Sequence, residues 1–399
     1  MTTQTLPRIP TEYFSPSEQN FWNGVDRNGN NRKSDDATNE SYKNNERRIL
    51  TEMNREKLPI FVEALKRSNY MDLRPSYQRR ARWSKKQKSL LIESFIINIP
   101  IPPIILYEKE YSSYEVIDGQ QRINAIKEFY NNEFGLQGLE LWSELNGKKY
   151  NQLPDGVRAG IDRRSLSSIV VITESAKDSE EEMFLKQLAF ERLNTGGIDL
   201  SKQEVRNCLY AGKFNDLLHK LSRNSIFTKA WGIPENEEKL VNNTLYKKME
   251  DIELILRFFS LRHIDKFTGR IEQFLTHYMI KSLQFGKEDI DFLSTIFLET
   301  IGLAHAIYGQ YLFKPFDIET KEWKQKSYKA FYDDVMVGFS NFLDKKDMLL
   351  EKKPELITQT KKLFESDNAK LLMGRGKSKA DLQNRIKVFN DMLLSCCQI

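Results

Sequence analysis

Two short apolar runs followed by a glycine and then a helical repeat constrain this chain more than any other feature. Ile104 to Tyr107 and Tyr114 to Ile117 are separated by the polar stretch EKEYSS, which reads as a hairpin or a pair of neighbouring strands. Directly after Asp118-Gly119, the spacing of Ile123, Ile126, Phe129 and Tyr130 switches from a strand to a helical period. The unit is therefore strand, strand, tight turn, helix. Upstream, Ser84 and Gln87 form a capping box ahead of Leu90, Leu91, Phe95 and Ile96, and Pro100, Pro102 and Pro103 end that helix. A further strand is expected at Ser168 to Thr173, where SIVVIT is rich in branched residues.

Either side of this core the character changes. Residues 24 to 47 carry almost no large apolar side chain, so they are expected to be flexible. Before them, Tyr13, Phe14, Phe21 and Trp22 form a small aromatic cluster that could dock on the body. Beyond residue 178 nearly everything reads helical. One helix is expected over 180 to 193, a break at Thr195-Gly196-Gly197, and a new start capped by Ser201 with Glu204. Further helices are expected at 244 to 260, 270 to 285, 288 to 308, 326 to 344 and 379 to 394. The stripe Ile252, Ile255, Leu256 and Phe259 is read as core, and the adjacent Asp333 and Asp334 as solvent-exposed.

The expected class is α+β, with a small mixed sheet-helix domain followed by a mostly α-helical one. The boundaries are 1–50 for a partly flexible N-terminal segment, 51–215 for the sheet domain and 216–399 for the helical domain. The three cysteines fit a reducing compartment, and no stretch approaches the roughly 20 apolar residues of a membrane span, so the expected location is cytoplasmic with no membrane partner. Only four histidines occur, none in a zinc-binding spacing. A net charge of +5 argues against an unselective nucleic-acid coat.

A strand ending at Ile117 and a helix starting near Gln121 would expose unpaired backbone N–H groups beside a glycine, which is an anion site. Arg122 at its lip can donate two hydrogen bonds to phosphate oxygens, Gln120 and Gln121 can orient a phosphate or a water, and Asp118 can hold a divalent metal or act as a base. The pentapeptide alone is equally compatible with an ordinary turn. Residues 74 to 88 hold Arg74, Arg79, Arg80, Arg82, Lys85, Lys86 and Lys88 with Tyr77 and Trp83 interleaved, and no acidic residue. That stripe suits phosphates and a stacked base, or simply a solvated helix entrance. Phe190 to Gly197 ends in Asn194-Thr195-Gly196-Gly197, either a loop that closes over a ligand or a plain helix end. Near the C-terminus, Arg375, Lys377 and Lys379 lie in a basic stretch that is a second candidate nucleic-acid surface or a solvated loop. Met373 to Lys379 has the composition of a phosphate-binding loop but not its spacing, because Leu371 stands where the first glycine belongs.

In this order, the features resemble the N-terminal domain of the GmrSD family of bacterial type IV restriction and phage-defence proteins, itself similar to ParB and sulfiredoxin. The matching residues are Tyr77-Gln78-Arg79 with Trp83, Pro100-Ile101, Val116 to Arg122, and Phe190 to Gly197 with Leu200-Ser201, within roughly residues 55 to 215. The resemblance implies a magnesium-dependent nucleoside triphosphatase that couples turnover to recognition of modified or phage-derived DNA. Asp118, Gln120, Gln121 and Arg122 would be catalytic, with Asp118 holding the metal. Gln78, Arg79, Gly119, Arg122, Asn194 and Thr195 would bind the nucleotide, and Arg80, Arg82, Lys85, Lys86, Arg375, Lys377 and Lys379 the nucleic acid. A partner nuclease or effector is expected, as is self-association. The alternative is a switch subunit that binds nucleotide or DNA without turnover. Many relatives append a His-Asn-His nuclease domain; His263, His277 and His305 lie in helical patterns instead, so no such domain is expected here.

Overall fold

A computed structural model describes residues 13–21, 34–43, 49–73, 83–172, 179–193, 201–267, 269–375 and 378–397. The chain divides into two compact units, Asn30–Leu209 and the pair of segments Met1–Gly29 and Tyr210–Ile399. The class is α+β: a five-stranded sheet in the first unit, helices through most of the second.

After a short helix, α1 (Pro16–Asn20), which belongs to the second unit, comes α2 (Asp35–Lys43). α2 lies where flexibility was expected; its residues are exposed, as their composition requires, and Asp35 and Asp36 favour its N-terminal end. The remainder of residues 24–47 falls outside the described residues. The sheet unit then runs β1 (Leu50–Lys57), α3 (Leu58–Ala64), β2 (Met71–Asp72), α4 (Lys85–Ile97), β3 (Ile104–Glu110), β4 (Ser113–Asp118), α5 (Gln120–Tyr130), α6 (Asp155–Asp162), β5 (Ser165–Ile172), α7 (Ser179–Leu193) and α8 (Lys202–Leu209).

The strand order is β1-β5-β3-β4-β2. β1 and β5 pair antiparallel, β5 and β3 parallel, β3 and β4 antiparallel, and β4 and β2 parallel. On one face, Ile104, Leu106, Val116 and Val170 pack against Leu58 and Phe61 of α3, Ile92 and Phe95 of α4, Ile123, Ile126 and Phe129 of α5, and Ile161 of α6. Each such side chain removed from water contributes about 1.5–3 kcal/mol, so this layer holds the β4–α5 turn firmly. On the other face, Lys186 of α7 pairs with Glu115 of β4 at 2.7 Å and lies over the ring of Tyr107, whose hydroxyl bonds Glu182. Glu115 and Tyr107 are register partners, so one buried cation ties α7 to both central strands.

In the second unit, Lys329–Ser340 is buried from Ala330 onward and packs against Glu250–Leu261, Lys287–Tyr308 and Lys379–Cys397. Ile252, Ile255, Leu256 and Phe259 are buried as expected. The helix expected over 244 to 260 is instead two, because Met249 adopts a left-handed conformation between Thr244–Lys247 and Glu250–Leu261. Among the described helices, Lys287–Tyr311 alone has the length and hydropathy of a membrane span, and 44% of that window is buried.

The expectation that Asp333 and Asp334 face solvent is wrong: both are completely buried. Arg257 forks onto the two oxygens of Asp333, while Arg385 donates to Asp334 at 2.7 Å and to Asp333 at 2.8 Å. Two arginines thus meet the adjacent acids Asp333 and Asp334 where three helices come together, and these paired, hydrogen-bonded partners are the condition for burying them. Of the N-terminal aromatic cluster, Phe14 and Phe21 dock on the helical unit, while Trp22 lies outside the described residues. Phe14 stacks on His263 with 4.4 Å between centroids, Phe21 lies against Tyr278, and the wholly buried Glu18 accepts hydrogen bonds from Tyr278 Oη at 2.6 Å and Arg262 at 3.4 Å.

Candidate nucleotide site

β4 ends at Asp118, and a register shift places Asp118, rather than Ile117, opposite Ile105. An irregularity of this kind re-aims the last residues of a strand. Gly119 follows at φ +98° and serves as the N-cap of α5. A β-carbon there would come within 2.4 Å of Ile104 Cγ2, so both the dihedral and the space demand glycine. Because the cap has no side chain, nothing on it accepts from the first N–H groups of α5; the Gly119 carbonyl takes the Ile123 N–H at 2.9 Å.

Arg122 Nη2 donates to Asp118 Oδ2 at 2.8 Å and to the Pro103 carbonyl at 3.2 Å. Its Nε is buried with no hydrogen-bond acceptor among the described residues, a donor left over beside a helix N-terminus. Gln121 Oε1 accepts the Trp83 N–H at 3.2 Å, and Ser84 caps α4 immediately afterwards through a capping box with Gln87. The N-terminal ends of α4 and α5 therefore lie side by side, and their partial positive charges reinforce one another. Gln120, by contrast, is buried, with only 6% of its surface exposed.

The structure thus brings Asp118, Gly119, Gln121 and Arg122 together with the start of α4, where Lys85 and Lys86 are exposed. Lys88 is engaged with Glu128. Gln78, Arg79, Arg80, Arg82, Asn194, Thr195 and Lys377 fall outside the described residues. Arg375 and Lys379 are exposed in the helical unit, before and at the start of Lys379–Cys397. Among the described residues no group of three histidine, cysteine, aspartate or glutamate side chains could hold a metal by itself. A magnesium ion would fit only as a guest of the phosphates, through the one carboxylate of the turn, a common arrangement for this ion. The histidines are dispersed over separate helices or helix ends, and His263 sits in the docked aromatic cluster.

Sequence reasoning missed three supports of the site. The Pro103 carbonyl and the Trp83 N–H are backbone groups and carry no residue signal. The Glu115–Lys186 pair did carry one, since Glu115 is a charge within the run Tyr114 to Ile117 that is otherwise apolar.

The family model described as the GmrSD restriction endonuclease, N-terminal domain, matches residues 61–211, which span the turn and both flanking helices. No curated protein and no solved structure matches the chain.

Proposed function

Because residues 61–211 match the model of the GmrSD restriction endonuclease N-terminal domain, we propose that the chain serves a bacterial restriction or phage-defence system, binding a nucleoside triphosphate at the Gly119 turn and hydrolysing it with magnesium. The observation that supports this best is Arg122. A guanidinium fixed by Asp118 and Pro103, with its Nε buried and unmatched beside two helix N-terminal ends, is prepared for an anion.

On nucleotide entry, Arg122 exchanges Asp118 for phosphate oxygens, and the N–H groups at the start of α5 take the remaining charge. Gln121, its Oε1 committed to Trp83, keeps its amide nitrogen to donate to a phosphate. Asp118 would hold magnesium, which would supply neutralisation of the phosphate charge when bound. Lys85 and Lys86 extend the positive field for DNA, the macromolecule on which the system is proposed to act.

The test is phosphate release and nucleotide binding, with and without DNA, for wild type, Arg122→Ala and Asp118→Ala. Both variants are expected to lose release, and Arg122→Ala to weaken binding at least tenfold. A wild type that binds but never releases phosphate would support the second reading, a switch without turnover. That reading is favoured by one observation: within the turn, Asp118 is the sole group able to act as a base, and it is paired with a cation.

A further inference from the structure

The helix-covered face of the sheet holds a cavity of about 310 Å³ lined by residues of β1, α3, β3, β4 and β5. That volume lies at the lower end of the roughly 300–1,000 Å³ usual for small-molecule sites. Its wall includes Ile104, the side chain that lies directly under Gly119. Asn54, Ser168 and Ile104 are register partners across three adjacent strands, so a polar row leads from the sheet edge to the floor of the phosphate turn. Arg55, Glu56, Tyr70 and Tyr114 complete the polar lining, with Tyr70 bonded to Glu56 and edge-on to Tyr114 at 5.6 Å.

Two features need an explanation that packing does not provide. Ser168 stands on the face of β5 that otherwise packs Leu166 and Val170 into the core. A branched apolar side chain there would fill the space, and the small hydroxyl leaves it open. The second is charge. Glu56 stands in the wall beside Arg55, so the lining offers an acceptor for an N–H group and a donor for a ring acceptor. Its complement is a planar, uncharged ring with N–H groups and acceptors on its edge, joined to an anionic portion that lies elsewhere. The anion site on the far side of Ile104 meets the second half of that description.

We infer that this cavity receives the nucleobase of the nucleotide whose phosphates occupy the Gly119 turn, and that Glu56, Asn54 and Ser168 read the base. This rests on the nucleotide reading given above. It makes β1, which no relation to the turn motif would suggest, the element that sets nucleotide preference.

The experiment compares binding of ATP, GTP, CTP, UTP, inorganic triphosphate and the four free nucleosides by calorimetry to the full chain and to Ser168→Ile, Glu56→Gln and Arg122→Ala. Ser168→Ile fills the cavity with a residue suited to a strand; Glu56→Gln keeps its shape and changes its hydrogen bonding. The expected result is at least tenfold weaker nucleotide binding in Ser168→Ile with inorganic triphosphate unaffected, a changed order of preference among the four nucleotides in Glu56→Gln, and loss of triphosphate in Arg122→Ala. Nucleotide binding unchanged in Ser168→Ile and Glu56→Gln but lost in Arg122→Ala would overturn the base site and leave the phosphate site standing. If the wild type binds nucleosides but not triphosphate, and Ser168→Ile abolishes this, the cavity stands and the phosphate reading fails. If nothing binds the wild type, both fail. Should Ser168→Ile lower the melting temperature markedly, Glu56→Gln alone decides: an unchanged order of preference overturns the proposal.

Discussion

Arg122 Nη2 lies 2.8 Å from Asp118 Oδ2, one helical turn away, while the same nitrogen reaches the Pro103 carbonyl at 3.2 Å. The arginine proposed to meet the phosphates is thus also the brace between the end of β4 and the residues that lead into β3.

Replacing Asp118 with asparagine separates these two roles. The pair is partly exposed, so its loss is expected to cost no more than about 1 kcal/mol, and the melting temperature should stay within a few degrees of wild type. Phosphate release, measured in the same preparation, is expected to vanish. A variant with full activity would remove Asp118 from the chemistry.

Gly119→Ala should be far more damaging to the fold. The new methyl meets Ile104 and the backbone must hold φ +98°, which together are expected to cost about 2–4 kcal/mol in urea unfolding. A loss below about 0.5 kcal/mol would show that the turn rearranges freely.

Glu18 gives the helical unit an acid-sensitive latch. Burial alone would raise its carboxyl, but Arg262, His263 and Tyr278 together outweigh that and hold it at about 2. A carboxyl depressed in the fold contributes stability above its unfolded value near 4.3, and that contribution drains away as pH falls from there through about 2. Burial also holds His263 below its usual range despite the nearby Glu18, so acidification below about 6.5 adds a second loss of stability, the cost of charging a buried imidazole. Hydrogen exchange of residues 13–21, normalised to its intrinsic rate at each pH, should therefore accelerate on acidification. Glu18→Ala, which leaves Arg262 buried without this carboxylate, is expected to accelerate it already at neutral pH and to cost about 3–5 kcal/mol. Normalised exchange that does not change with pH would refute the latch.

Asp334 should act in the opposite sense. Burial pushes its carboxyl up to about 8, even though Arg385 pulls it down. A raised carboxyl favours the fold fully below its unfolded value near 3.9, and that advantage is lost as pH climbs through about 8. Asp334→Asn mimics the protonated form. It is expected to raise the melting temperature at pH 9 more than at pH 5, and equal shifts at the two values would contradict the assignment.

The strand-turn-helix at Asp118 was readable because its signals are local: two apolar runs, a glycine and a change of period within a few residues. The capping boxes at Ser84 and Ser201 were readable for the same reason. β1 was not, since LTEMNREK is an edge strand exposed along most of its length and shows no apolar alternation. Asp333 and Asp334 were misread because adjacent charges ordinarily seek water. The arginines that neutralise them lie 76 and 52 residues away in the chain, beyond any local pattern. Glu18 is subject to the same limit, its partner Tyr278 being 260 residues distant.

Since residues 13–21 fold with the helices that follow Tyr210, the sheet unit is an insert within the sequence of another folding unit rather than a bead on a string. A fragment that begins at Tyr210 would lack Glu18, and with it the carboxylate that neutralises Arg262 and engages Tyr278. The helical unit would then be orphaned in its core, although not one of its helices had been cut. Conversely, a single protease cut on either flank of the insert would leave it tethered by the other, so cleavage at two places is needed before the sheet unit can diffuse away.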